Sequence, residues 1–379
     1  HQNGSPVLTS QPPTNRRNRA VARLPEGHCT RDGCPAESRF KALGGLASQG
    51  GLFAFQSADG IHWSLMNETP VVTKGAFDSQ NLAFWDATAG VYRAYFRTFT
   101  QGITTAKVWK PEGYRAIRTA TSTDFLKWEH EADLTYRDSP VEHLYTNQIA
   151  PYFRAPHILI GFPTRYIERG WSPSMRALPE LDDREKRAAA HLRYGTALTE
   201  GLLMASRDGV HFDRWNEAFL RPGIQRPGTW QYGAQYVGWH AVETKSSLPC
   251  APNELSLYAT ESYWHGKGSA LRRYTLRLDG FVSIHAPMKG GELITKPIHF
   301  KGGKLKLNFA TSAAGSVRVE IQDATDKPVP GYALADASDL FGDTVTGKAH
   351  WKQGTAVTAL TGKAIRLRFV LKDADLYSF

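Results

Sequence analysis

The sequence predicts an all-β protein, a β-propeller followed by a β-sandwich. Three observations predict it. One turn recurs four times, and each copy leads into a fresh run of strand pattern. The runs alternate apolar and polar residues, as half-buried strands do. The composition, with 34 Gly, 21 Pro and 11% aromatics in 379 residues, suits many short strands joined by frequent turns.

The turn copies are Ser57-Ala58-Asp59-Gly60-Ile61-His62-Trp63, Ser122-Thr123-Asp124-Phe125-Leu126-Lys127-Trp128, Ser206-Arg207-Asp208-Gly209-Val210-His211-Phe212 and Arg277-Leu278-Asp279-Gly280-Phe281. In the first three, Asp follows Ser by two residues and an aromatic follows Asp by four. Asp bonds the backbone two residues on, and Gly accepts positive φ, so the chain reverses tightly. The aromatic then packs into the layer beneath. The Asp-to-Asp spacings are 65, 84 and 71 residues. A β-unit repeating at such intervals reads as a propeller or an array.

Each repeat is expected to hold four strands. Residues 1–38 carry no strand pattern and read as an irregular segment. Arg39 to Leu43 and Gly51 to Gln56 then read as the second and third strands of a repeat that lacks its inner strand or borrows one from that irregular segment, so the propeller reads as N-terminally truncated. In the next copy the strands are Asn81 to Trp85, Tyr92 to Arg97, Ile117 to Ser122 and a fourth from Lys127. The following copy reads Gln148 to Phe153, His157 to Phe162 and Gly201 to Ala205. An insertion from Ile167 to Tyr194 interrupts it, with a short helix expected over Asp182 to His191. Long loops on a rigid scaffold tend to be functional. The last copy reads Gln235 to Trp239, Leu255 to Ala259 and Leu271 to Leu276. Residues 39–288 are thus assigned to blades. From 290 to 379 the segments Leu293 to Thr295, Leu305 to Phe309, Val317 to Ile321 and Ile365 to Leu371 alternate cleanly between turns and read as a separate antiparallel sandwich.

Bulk properties narrow the partners. Net charge is +10, with Lys and Arg scattered. The one basic cluster, Arg16, Arg17, Arg19 and Arg23, lies in a Pro/Ser/Asn-rich stretch and reads as a solvated tail, not a nucleic-acid contact. No apolar run approaches the ~20 residues of a membrane span. A positive balance helps draw in an acidic glycan. Cys29 and Cys34 are spaced for a small disulfide loop in an oxidising compartment, and Cys250 stands apart. No Cys/His spacing fits zinc, and no metal or cofactor is expected. No secretory signal is visible, but the chain begins at His1 and not at Met, so its natural start is expected to be missing; a periplasmic or secreted location is favoured.

Propeller topology sorts side chains by rim. If the inner strand starts at the top, the second strand ends there and the third begins there. The recurring aspartates then lie underneath, in structural turns. The top-rim candidates are Asp78, Arg97, Glu142, His143, Asn147, Arg165, Glu200 and Glu261, with Tyr263, Trp264 and His265 just beyond. Carboxylates converging from different blades are what glycoside hydrolysis needs, one as acid and one as base or nucleophile. Arginines hold hydroxyls or carboxylates, and aromatic faces stack on sugars. At the same positions Asp78 can cap a turn, Glu200 and Glu261 can pair with Arg165 or Arg97, and His143 can be a structural histidine.

The segments Gly75 to Asp86, Gly161-Phe162-Pro163-Thr164-Arg165, Thr311 to Ser316 and Leu371 to Phe379 resemble a group of bacterial, planctomycete-type proteins similar to the N-terminal domain of glycoside hydrolase family 32. The resemblance runs from about residue 35 to the C-terminus. It implies a five-bladed propeller followed by a β-sandwich, acting on carbohydrate. Asp78 before Ser-Gln-Asn is similar to the family's nucleophilic Asp before Pro-Asn. Glu200 and Glu261 stand in position, not in motif, for its acid. The expectation is a glycosidase with Asp78 as base or nucleophile and Glu200 or Glu261 as general acid. Arg97, Glu142, His143, Asn147, Arg165, Trp264 and His265 are expected to bind substrate. The alternatives are a non-catalytic carbohydrate-binding propeller and a protein-interaction scaffold.

Overall fold

The computed structural model describes residues 20–23, 36–224, 235–261 and 270–379. The described residues are mostly β, 51% strand and 8% helix, and among them no sheet closes on itself. Two compact units form. One takes the chain up to His240 with Leu257–Arg273; the other takes Ala241–Ser256 with Tyr274–Phe379.

In the first unit two four-stranded antiparallel sheets follow chain order. The first runs Ala20–Arg23, Phe40–Leu46, Gly51–Ser57 and Ser64–Leu65. Its opening strand lies in the segment read as patternless and pairs antiparallel with Phe40 to Leu43. Four residues are too few for alternation to show. The second sheet runs Leu82–Asp86, Val91–Thr104, Trp109–Ser122 and Glu129–Asp133. In its central hairpin the first strand runs seven residues past the expected end at Arg97, to Thr104.

A third sheet is built on Leu198–Ser206, which pairs with Ala155–Gly161, Thr164–Ile167 and His211–Leu220. Arg165 therefore sits on a short strand of its own beyond Gly161, not at the end of the preceding one. The insertion folds into helices Pro173–Ala177, Leu181–Ala190 and Arg193–Thr196. The buried Arg184 side chain holds their junction by donating to the carbonyls of Met175, Leu178 and Pro179.

Alternation in the second sheet feeds two cores. Ala83, Ala94, Phe96 and Ala120 pack with Leu43, Leu52 and Ala54 from the first sheet and with Val72, which bridges to Leu52. Leu82, Phe84, Tyr95 and Ile117 face the other way, onto Leu159, Leu202, Met204 and Phe212 from the third. Neighbouring residues thus serve opposite faces, as the pleat requires.

The repeated turns are built as their sequence implies. Asp59, Asp124 and Asp208 each accept two backbone N–H bonds at 2.8 Å, from residues two and three ahead. The preceding serine hydroxyl accepts from the next backbone amides. Gly60 and Gly209 take φ of 78° and 81°, and Phe125 takes 72° at the equivalent place. The fourth turn differs: Asp279 itself takes φ of 54°. The strand after it, Ile284–Ala286, pairs with Ile365–Ser378 of the second unit.

The inner strand expected over Gln235 to Trp239 reduces to one bridge, Val237 to Ala259. In the second unit a five-stranded sheet is centred on Lys306–Asp323 and Ile365–Ser378. The segments Leu305 to Phe309 and Val317 to Ile321, read as separate strands, belong to one strand with a register shift between Thr311 and Ser316. A bulge there does what a turn was expected to do. A Cβ at Gly315 would meet the carbonyl oxygen of Asp373 at 2.4 Å, so the bulge needs glycine. Trp351, fully buried, anchors this core and donates to the carbonyl of Val319 at 2.9 Å.

Candidate functional site

Asp78 stands on the loop before Leu82–Asp86. Phe77 is fully buried against Phe96, with ring centroids 5.5 Å apart, and Asn81 is buried. The Asn81 amide donates to the carbonyls of Phe77 and Ser79 at 3.2 and 3.3 Å. The Ala76 amide donates to the Arg97 carbonyl at 2.7 Å. The loop is therefore tied on both sides of Asp78, whose side chain keeps 54% of its surface exposed. One of its oxygens accepts from Arg97, a side chain only 5% exposed.

Arg97 lies over the rings of Phe99 and Tyr145, 5.5 Å from each centroid. Arg115 is the register partner of Phe99 across the hairpin. Its guanidinium lies 4.8 Å from the Tyr166 centroid, and 5.9 and 6.0 Å from those of Phe99 and Tyr145. The Arg115 backbone amide donates to Nδ1 of His143 at 2.9 Å, so that nitrogen is an acceptor. Burial pushes the His143 pKa down, against the pull of Glu168. Glu168 in turn lies 3.6 Å from Arg115 and 3.8 Å from Arg193. Tyr145 also contacts Tyr166 and Tyr236, at 5.7 and 5.9 Å between centroids.

A second group is more tightly closed. Arg165 and Glu200 are register partners and meet through two guanidinium nitrogens on Oε2. Arg221 reaches Oε1 at 3.2 Å. Arg165 also lies 3.5 Å from Glu142, whose other oxygen is 3.1 Å from Arg214. Both oxygens of Glu200 are thus engaged by arginine. Glu261 meets Arg272 at 2.9 Å and, like Glu200, keeps 9% of its side chain exposed.

Asn147 is buried and works locally: its Oδ1 accepts from the Ile149 amide at 3.2 Å. Beside it a glutamine relay ties three segments. Gln80 Oε1 accepts from the amides of Asn147 and Gln148, the Gln80 side-chain amide donates to Gln148, and Gln148 donates to the Val237 carbonyl at 2.6 Å. Trp264 and His265, with Tyr263, Cys29 and Cys34, lie outside the described residues.

The structure therefore brings Asp78 to Arg97, and Glu142 to Arg165 and Glu200, while His143 joins the first group through Arg115. Phe99, Arg115, Tyr145, Tyr166, Glu168 and Arg193 complete that group without having been singled out from the sequence. Tyr145 lies between the candidates His143 and Asn147, and its aromatic character was the signal available. Among the described residues no cluster of three His, Cys, Asp or Glu is placed to hold a metal ion. None of the described helices is long and apolar enough to cross a membrane.

No family model and no curated protein sequence matches the chain. Solved structures align with it at low similarity. One is from the GH130 family of mannoside phosphorylases, which contains glycoside hydrolases targeting β-1,2 mannosidic linkages (TM-score 0.39, 12% identity, 69% of this chain and 66% of that one). Another is an α-L-arabinofuranosidase from Fusarium graminearum (0.36, 13%, 68% and 64%). A third is a GH32 β-fructofuranosidase from Bombyx mori (0.34, 9%, 89% and 76%). The chain thus spans just under two thirds of the length of the first two. Likenesses at this level carry no argument about its chemistry, which rests on the side chains above.

Proposed function

We propose that the protein acts on glycosides through the Asp78 site, on a five-bladed propeller followed by a sandwich. One observation carries the reading: a half-exposed carboxylate is held on one oxygen by a buried arginine, beside the rings of Phe99 and Tyr145. The arginine orients the carboxylate, and the rings offer faces for a sugar. Asp78 then attacks the anomeric carbon or takes a proton from the attacking water, while an acid protonates the leaving oxygen. The two candidate acids are Glu200, whose oxygens both meet arginine, and Glu261, which meets Arg272. Arg97 positions Asp78, and His143 positions Arg115.

A second reading is sugar binding without hydrolysis. It is favoured by the pairing of Asp78, Glu200 and Glu261 alike with arginine. A panel of glycans separates the two. On the first reading at least one is cleaved, and Asp78→Asn, nearly isosteric, lowers kcat by orders of magnitude with folding intact. Binding without cleavage establishes the second. Near-normal turnover in a folded Asp78→Asn protein removes Asp78 from the mechanism.

A further inference from the structure

We infer that the sugar taken by this site carries an acidic group, a carboxylate or a sulfate ester, received by Arg97 and Arg115. The inference rests on the carbohydrate reading above and names the class of sugar.

The two guanidinium groups share two rings, Phe99 and Tyr145, each within about 6 Å of both charges. Both side chains are buried. Arg193 approaches the same Glu168 as Arg115 does. Three guanidinium groups thus face two carboxylates, Asp78 and Glu168. His143 adds no charge, because it accepts a hydrogen bond at Nδ1 and burial disfavours its protonation. The pairing is also loose. Glu168 reaches Arg115 and Arg193 only at 3.6 and 3.8 Å, and it is half-exposed. Among the described residues Nε of Arg97 and Nε of Arg193 are buried with no acceptor.

Two neighbouring arginines differ, although Nε of Arg214, which pairs with Glu142, is likewise buried without an acceptor. Arg165 has acceptors on Nε and on both terminal nitrogens. Arg184 donates three times to backbone carbonyls. Those are finished structural sites. Buried donors without acceptors call for a reason, and an anion bound across two forked guanidiniums supplies it. Neutral hydroxyls would not balance the surplus charge. In this scheme Glu168 competes with the incoming anion for Arg115 and Arg193.

The test is titration calorimetry on the full chain with three oligosaccharides of equal length: one of hexuronic acid, one sulfated and one neutral. Either acidic probe should bind at least tenfold more tightly than the neutral one, and the stronger of the two identifies the group. Arg115→Gln should remove the preference. Should that variant fail to fold, Glu168→Gln at the half-exposed position still decides: it should tighten acidic binding severalfold and leave neutral binding unchanged. Equal or tighter binding of the neutral probe overturns the inference and leaves the carbohydrate reading standing. Weaker acidic binding in Glu168→Gln also overturns it, by showing Glu168 to be a strut. No binding of any probe removes both readings.

Discussion

Asp124 and Asp78 show how one residue type serves two ends. Asp124 accepts the amides of Leu126 and Lys127 and the hydroxyl of Ser122, so its carboxylate closes a turn. Asp78 meets one arginine and otherwise faces outward. Partial burial pushes the Asp124 pKa up, but the Lys127 and Leu126 amides and the Ser122 hydroxyl outweigh it, and the net shift is downward. A carboxylate with a lowered folded pKa stabilises the fold above its unfolded value of about 3.9, and that contribution is lost as pH falls through the folded value. Asp124→Ala should therefore cost about 0.5–3 kcal/mol at pH 7, read from urea midpoints, with a smaller difference from the parent at pH 3. An equal difference at both would dissociate the effect from ionisation. His240 reaches the same acid-side loss by the opposite cause, since here burial itself lowers the pKa. Burial lowers its pKa from 6.5 to about 4, against the bond to the Ile160 carbonyl. The unfolded chain binds this proton first, so stability should fall as pH drops from about 6.5 to 4, by at most about 3 kcal/mol. His240→Gln should flatten that limb of a stability–pH curve; an unchanged slope would assign the limb to other groups.

At the scale of elements, burial decided what could be read in advance. The turns and the strands they join carry one apolar face each, and alternation announces them. The arm of the central hairpin does not. Its residues beyond Arg97 and before Ile117 leave Ile103, Trp109 and Tyr114 exposed, so no face is marked and the strands read short. The same loss hid Phe99 and Arg115, which sit where the arm leaves the sheet. The glutamine relay was equally silent, because amide side chains have no periodicity. It makes a definite prediction. Gln148→Ala leaves the Gln80 amide and the Val237 carbonyl without partners, at a cost of about 1–3 kcal/mol. Gln148→Glu, which still accepts from Gln80, should cost differently at the Val237 end. A thermal-melt shift of less than one degree in Gln148→Ala would show the relay to be ornamental.

At the scale of the molecule, repetition of the Asp turn made the β architecture legible, and strand polarity brought Asp78 to Arg97 and Arg165 to Glu200. The aromatic and cationic group was not legible, because Glu168 and Arg193 come from the insertion that breaks the repeat. Nor was the grouping of Ala241–Ser256 with Tyr274–Phe379, which no compositional change marks. In the first unit the second sheet has a core on each face, and this predicts its cooperativity. Phe96 is fully buried in the core shared with the first sheet, while Tyr95, its chain neighbour, is buried in the core shared with the third. Removing the Phe96 ring leaves a cavity costing about 3–5 kcal/mol. If the second sheet transmits order between its neighbours, the three sheets open together. Amide hydrogen exchange should then report one free energy for the strands Gly51–Ser57, Val91–Thr104 and Leu198–Ser206. Phe96→Ala should lower all three by the same amount, although only the first two meet its core. Retention of parent-level protection in Leu198–Ser206 would show that the third sheet opens on its own.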